Sequence, residues 1–239
     1  MKLIVANFKM NLLIKDIHNY LEVIEQKLNK DQVIFCPNNL HIKYFSEKNY
    51  LVGSQDISFQ EYGAITGDTS INQLKEVGIT YTIIGHSERR QYFLDDKYIN
   101  KKVKLALSKQ IKIILCIGEN LKAFEENNTF SVLKDQLDNA LKDNLNYINE
   151  TNLIIAYEPI WSIGTGKIPT NSCLEKTILN IKTYLKETYN LNLKVLYGGS
   201  VNLDNIDSLQ EVSEIDGYLV GSLSLDPNKF LTLINKINN

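Results

Sequence analysis

Short apolar runs alternate along this chain with stretches in which apolar residues return every third or fourth position. The runs are Leu3–Asn7, Val33–Cys36, Leu51–Gln55, Tyr81–Gly85, Ile111–Gly118, Asn152–Glu158, Leu193–Tyr197 and Gly217–Gly221. Several are apolar almost without a break, as strands buried on both faces of a parallel sheet are. The stretches between them read as amphipathic helices. Ile17, Tyr20, Leu21, Ile24 and Leu28 share one helical face, and so do Phe130, Leu133, Leu137, Ala140 and Leu141. Leu174, Ile178, Ile181 and Leu185 follow Thr170-Asn171-Ser172, a cluster that supplies an N-cap. Asp226-Pro227 opens the last helix with a cap and a proline at the first helical position. That helix should bury Phe230, Leu233, Ile234 and Ile237.

Eight strand-then-helix units without a linker allow either an open doubly wound sheet or a closed barrel. Polar or glycine residues recur just beyond the first, fourth, sixth, seventh and eighth strands. An open sheet would gather such residues at one switch point. Their spread around most strand ends is what a barrel mouth needs. The expectation is therefore an α/β chain forming a single-domain (β/α)8 barrel over residues 1–239.

Composition narrows the function classes. The chain has 239 residues, is 44% hydrophobic and 23% charged, and carries a net charge of −2. No long run of one sign suggests nucleic acid or a membrane surface, so any anion site must be local. No leader or membrane span is evident. Three widely spaced cysteines, Cys36, Cys116 and Cys173, read as reduced packing residues of a cytoplasmic protein. Neither a Rossmann glycine fingerprint nor a P-loop is present, which argues against a nucleotide cofactor.

The candidate chemistry sits at the strand ends. Glu158 closes the sixth strand, a costly place for an isolated carboxylate. Pro159 follows, then Trp161 and Gly164-Thr165-Gly166, then Pro169. Two stiff ends around a glycine-bearing, aromatic-anchored centre read as a lid that moves as a unit, with backbone at Gly164 able to approach a ligand. Asn7 and Lys9 leave the first strand two residues apart, on one face if the backbone stays extended. After the fourth strand, Ser87 is positioned to cap a helical turn and set His86 against its N–H groups as a neutral donor. Gly198-Gly199-Ser200 and Gly221-Ser222 end the last two strands, where barrels place their phosphate sites. A carboxylate base, a polarising donor, an anion seat and a lid together suit proton abstraction beside a carbonyl of a small phosphorylated substrate.

The chain resembles the triosephosphate isomerase family. The resemblance is carried by Asn7-Phe8-Lys9-Met10-Asn11, Gly63-Ala64-Ile65-Thr66-Gly67-Asp68, Ile84 through Arg90, Cys116-Ile117-Gly118-Glu119, Ala156 through Lys167, Tyr197 through Val201 and Asp216 through Gly221. It implies a homodimeric barrel that interconverts dihydroxyacetone phosphate and glyceraldehyde 3-phosphate without metal or organic cofactor. It also implies Glu158 as base and His86 as neutral electrophile. Lys9 and Asn7 would hold the substrate, and Glu88 would support them. The phosphate would be bound by backbone N–H groups of Gly164, Ser200, Gly221 and Ser222. Thr66 would reach the partner's active site. Four departures stand out from the family pattern. Phe8 stands for a usual Trp, and Gly221-Ser222-Leu223 for Gly-Gly-Ala. Lys167-Ile168-Pro169 replaces Lys-Thr-Ala, and Asp68 and Asp95 replace Glu near the expected interface. A serine at 222 would be strained if that position needed positive φ. Two other classes fit less well: another barrel phosphosugar isomerase or aldolase, and a family member retained for binding with little turnover.

Overall fold

A computed structural model describes residues 2–163 and 168–238. Eight parallel strands close on themselves in chain order: β1 (Leu3–Asn7), β2 (Val33–Cys36), β3 (Leu51–Ser54), β4 (Tyr81–Ile84), β5 (Lys112–Ile117), β6 (Leu153–Tyr157), β7 (Val195–Tyr197) and β8 (Gly217–Val220). The barrel is sealed where β1 meets β8, with Leu3 opposite Gly217 and Ala6 opposite Val220. Around it lie α1 (Ile14–Ile24), α2 (Ile42–Ser46), α3 (Ile71–Glu76), α4 (Ser87–Phe93), α5 (Asp96–Ser108), α6 (Leu121–Glu125), α7 (Thr129–Leu141), α8 (Asn171–Tyr189), α9 (Ile206–Gln210) and α10 (Pro227–Asn238).

The apolar runs explain this architecture because successive strand residues face opposite sides. Val5, Ile34, Cys36, Ile83, Ile114, Cys116, Ile154, Ala156, Leu196 and Leu219 fill the barrel interior as one cluster. Their neighbours in sequence, such as Ile4, Ala6, Leu115 and Ile155, pack outward against the helices in a second, larger cluster. Phe8 belongs to the outer layer, edge-on to Tyr20, Phe35 and Phe45 at 5.0–6.2 Å between ring centres. A phenyl ring thus fills the place where the resemblance leads one to expect an indole. Counting on by two from each inward residue reaches the barrel mouth at Asn7, Gly118, Glu158, Gly198 and Gly221.

β3, β4, β5, β6 and β8 each stop one residue short of the expected end, and three further expectations shift. β7 begins at Val195 rather than Leu193, because Leu193 is buried without joining the ladder. Leu28 is buried beyond the end of α1. Phe130 keeps helical spacing in α7 yet is 40% exposed, with its ring edge-on to Tyr184 at 5.9 Å. The expected caps of α8 and α10 are in place: Thr170 accepts from the Cys173 N–H, and Asp226 accepts from the N–H groups of Asn228 and Lys229.

Candidate active site

Glu158 is 2% exposed at the end of β6. Its N–H donates to the Ile117 carbonyl at 2.8 Å, which ties it to the end of β5. The approach is so close that a Cβ at Gly118 would lie 1.7 Å from the Glu158 carbonyl oxygen, so only glycine fits there. Below the side chain, a Cβ at Gly198 would come within 2.9 Å of Glu158 Cγ, so this glycine leaves the carboxylate its room.

The carboxylate has two partners. The Ser87 N–H donates to Oε2 at 3.2 Å, and His86 Nε2 stands 3.2 Å from Oε1. The sequence points to Ser87 as the helix cap, and the structure corrects this. His86 is itself the cap: its Nδ1 accepts the Glu88 N–H at 3.2 Å, and Ser87 is the first helical residue. An Nδ1 that accepts leaves the ring hydrogen on Nε2, which then donates toward Glu158. His86 reaches the mouth because Gly85, at φ +74°, interrupts the strand alternation just before it. Arg90 fixes that turn, donating to the Gly85 carbonyl at 2.7 Å and to the Cys116 carbonyl at 2.8 Å, and it pairs with Asp96.

Lys9 is held in another way than expected. The backbone is no longer extended there: Lys9 sits at φ +51°, a left-handed conformation a non-glycine residue adopts at a cost of about 1–3 kcal/mol. Its N–H donates to Asn7 Oδ1 at 3.1 Å, and Gln55 Nε2 donates to its carbonyl at 2.8 Å and to that of Cys36 at 3.0 Å. These bonds over-determine the turn. They leave Lys9 Nζ paired with Glu88 Oε1 at 2.6 Å. At the end of an apolar run Gln55 looks like the last residue of the third strand, and its polar side chain is hidden among strand residues. It lies one residue past β3 and locks the lysine.

Asn7, Lys9, His86 and Glu158 line one pocket of about 250 Å³ with Gly198, Gly199, Ser200, Gly221 and Ser222. Ser222 begins a 3-10 turn, Ser222–Leu225, and is not among the residues with positive φ, so the strain considered for a serine there does not arise. Gly164 lies outside the described residues, as do Thr165, Gly166 and Lys167 in the centre of the expected lid. The described entry to that segment is anchored by Trp161, whose Nε1–H donates to Glu119 Oε1 at 2.9 Å and whose ring lies 4.4 Å from that of Phe124. Tyr157 also donates to Glu119, at 3.2 Å, and burial raises the Glu119 carboxyl above the ordinary range. The Cys116 thiol is pushed well up, first by burial and then by the Glu158 charge, so it stays protonated and inert beside the site.

A second cavity, of about 640 Å³, adjoins the first on the far side of Lys9 and His86. Met10, Tyr92 and Phe93 border it and are strongly exposed, as Tyr62 is nearby. Thr66 is exposed in the turn after β3, where Gly63 and Gly67 take positive φ. It lines neither the small pocket nor the larger cavity of its own chain. Asp68 is exposed on the rim, whereas Asp95 is buried in an internal cluster instead of facing outward. There Lys102, 2% exposed, bonds Asp56 at 2.6 Å and Asp95 at 2.7 and 2.8 Å, and Arg89 pairs with Asp56 at 2.9 Å.

This cluster gives a pH signature. Burial pushes the Asp56 carboxyl up from 3.8 to about 6, against the pull of Lys102. The folded chain then holds this proton where the unfolded chain has lost it. Its contribution to stability falls as pH rises through that window and is flat above about 6. Asp56→Asn should remove the slope, so the variant should gain roughly 1–2 kcal/mol on the parent between pH 4.5 and 6.5. Urea unfolding of both proteins at the two pH values measures this, and parallel pH dependences would contradict it.

Comparison with known proteins agrees with this arrangement. The family model described as "Triosephosphate isomerase" matches residues 2–237. A triosephosphate isomerase of Alkaliphilus oremlandii is 38% identical over 244 aligned positions, covering 98% of each chain. One of Mycoplasmoides gallisepticum is 41% identical and covers 97% of this chain and 96% of its own length. One of Clostridium botulinum is 39% identical over 98% of both.

Proposed function

The chain belongs to the triosephosphate isomerase family, and from that premise we infer that it interconverts dihydroxyacetone phosphate and D-glyceraldehyde 3-phosphate through an enediolate. The observation that carries the mechanism is the meeting of Glu158 and His86 at 3.2 Å on the wall of the small pocket that Lys9 also lines. Ionised Glu158 takes a proton from the carbon beside the carbonyl. The His86 Nε2–H donates to the carbonyl oxygen, on which negative charge grows. His86 then passes protons between the two oxygens, and Glu158 returns its proton to the neighbouring carbon. Lys9 supplies a fixed positive charge within reach of the same oxygens, with Asn7 beside it and Glu88 holding its ammonium. Backbone N–H groups of Ser200, Gly221 and Ser222 seat the phosphate, with Gly164 completing the seat from the lid.

The test is turnover of glyceraldehyde 3-phosphate in a coupled assay. A folded protein without turnover overturns the assignment. For the phosphate seat, the negative φ at Ser222 supports a small effect of side-chain removal. Ser222→Gly should change the inhibition constant of a phosphoglycolate-type inhibitor by no more than about twofold, since surface changes without strain usually stay within about 0.5 kcal/mol. A larger improvement in the variant would mean that serine mispositions its N–H.

We further propose that the active form is a homodimer in the cytoplasm. The exposed apolar rim of the larger cavity supports the dimer, because such a patch is otherwise left in water. In that arrangement Thr66 of one protomer enters beside Asn7 and Lys9 of its partner. The three free cysteines suit a reducing compartment, and among the described residues no helix is long and apolar enough to cross a membrane.

A further inference from the structure

Ser162 ends the 3-10 turn Ile160–Ser162, next to Trp161 and two residues before Gly164. Its side chain is fully buried and lies behind the wall of the small pocket. The hydroxyl reaches across to the strand β7 end, 3.2 Å from the Tyr197 hydroxyl and 3.4 Å from the Ser200 nitrogen. The Ser200 N–H donates to Ser162 Oγ, although Ser200 borders the pocket. Gly199 makes the approach possible: a Cβ there would lie 2.3 Å from Tyr197 Oη and 2.9 Å from Ser162 Oγ. Burial pushes the Tyr197 phenol up to about 12, so across the neutral range it keeps a proton to share with Ser162. The far side of the loop is tied as well, since Asn205 Nδ2 donates to the Ser200 carbonyl at 2.9 Å.

We propose that Ser162 is a positioning residue whose hydroxyl occupies the Ser200 amide in the resting site and yields it to the incoming phosphate. This rests on the reading that the Ser200 N–H belongs to the phosphate seat. The contact is suited to exchange. At 3.4 Å it is longer than the usual N–H···O range, so it satisfies the amide weakly. A phosphate oxygen carries charge and makes a shorter, stronger bond to the same donor. Substrate arrival therefore releases a hydroxyl on the turn that leads into the lid. Loop and lid entry become linked through one side chain, and phosphate affinity is lowered by a competitor built into the protein.

The consequence has an unusual sign. Ser162→Ala should bind inorganic phosphate more tightly, by about two- to tenfold, the worth of one modest intramolecular hydrogen bond. KM should fall with it, while kcat does not rise. Ser162→Cys keeps the size of the side chain but is a weaker acceptor, so it should move the same way by less. The measurement is competitive inhibition by inorganic phosphate on parent and both variants, with Trp161 fluorescence as a second readout of binding. A merely structural serine predicts unchanged or weaker phosphate binding on its removal. That result, in Ser162→Ala with parent-like circular dichroism, overturns the proposal. Should the alanine variant not fold, the sign of the change in Ser162→Cys decides. A parent that turns over substrate but shows no competition by phosphate overturns the seat itself, and this role with it.

Discussion

Glu158→Asp should lower kcat on the order of a hundredfold or more while leaving KM within a few-fold of the parent, because misplacement by about 1 Å can cost that much in rate. The backbone cannot follow the shorter side chain. Glu158 N–H is bonded to Ile117, its carbonyl is packed against Gly118, and Pro159 restricts it from the other side. The lost methylene therefore withdraws the carboxylate from both His86 Nε2 and the Ser87 N–H. Substrate binding rests on other groups, the Lys9 ammonium and the backbone donors of the phosphate seat, so the loss should fall on the chemical step. Initial rates over a range of glyceraldehyde 3-phosphate concentrations separate the two constants. Parent-like kcat would place the base elsewhere.

Replacing both Ile65 and Thr66 with glutamate should give a smaller species and an activity loss of about tenfold or more in the same sample. The two residues sit in a turn closed by the Asp68 N–H on the Ile65 carbonyl at 3.2 Å. Gly63 at φ +153° and Gly67 at φ +91° flank it and let it project. The 640 Å³ cavity beside Lys9 gives such a turn a place to enter in a second copy. Carboxylates brought into that apolar rim would be desolvated without partners, a cost of several kcal/mol against association. Loss of the partner would also uncover the left-handed turn at Lys9, whose conformation depends on its surroundings. Sedimentation and turnover are to be measured together, with circular dichroism as a check on folding. A fully active monomer, or an unchanged dimer, refutes the coupling of assembly to catalysis.

The barrel was legible because its strands are buried on both faces, and a run such as Ile113–Ile117 admits few other readings. The mouth was legible for the same reason. A carboxylate directly after Ile154–Tyr157, or an asparagine directly after Leu3–Ala6, stands out against an apolar background. Periodicity fails where burial and membership of an element part company. Leu193 is buried outside its strand, and Phe130 is in its helix but half in water. The supporting residues were harder to see. Gln55 acts on Lys9 across 46 positions, and Lys102 meets Asp56 across the same separation. Nothing in a glutamine after an apolar run, or a lysine in a helix, announces the partner. Ser162 is the extreme case, since its meaning depends on a hydroxyl and an amide that arrive with another strand.

The seam between β1 and β8 has a consequence for how the chain is made. Leu3 finds Gly217 only after more than two hundred intervening residues have been synthesised. At ordinary elongation rates that interval is roughly 10–40 s. Throughout it β1 can pair with β2 but keeps an open edge, the kind of surface that recruits strands from neighbouring nascent chains. Both interior and edges are completed by the last strand to leave the ribosome, so the barrel closes as a late, single event. A cell that crowds many ribosomes onto this message brings those unfinished edges close together.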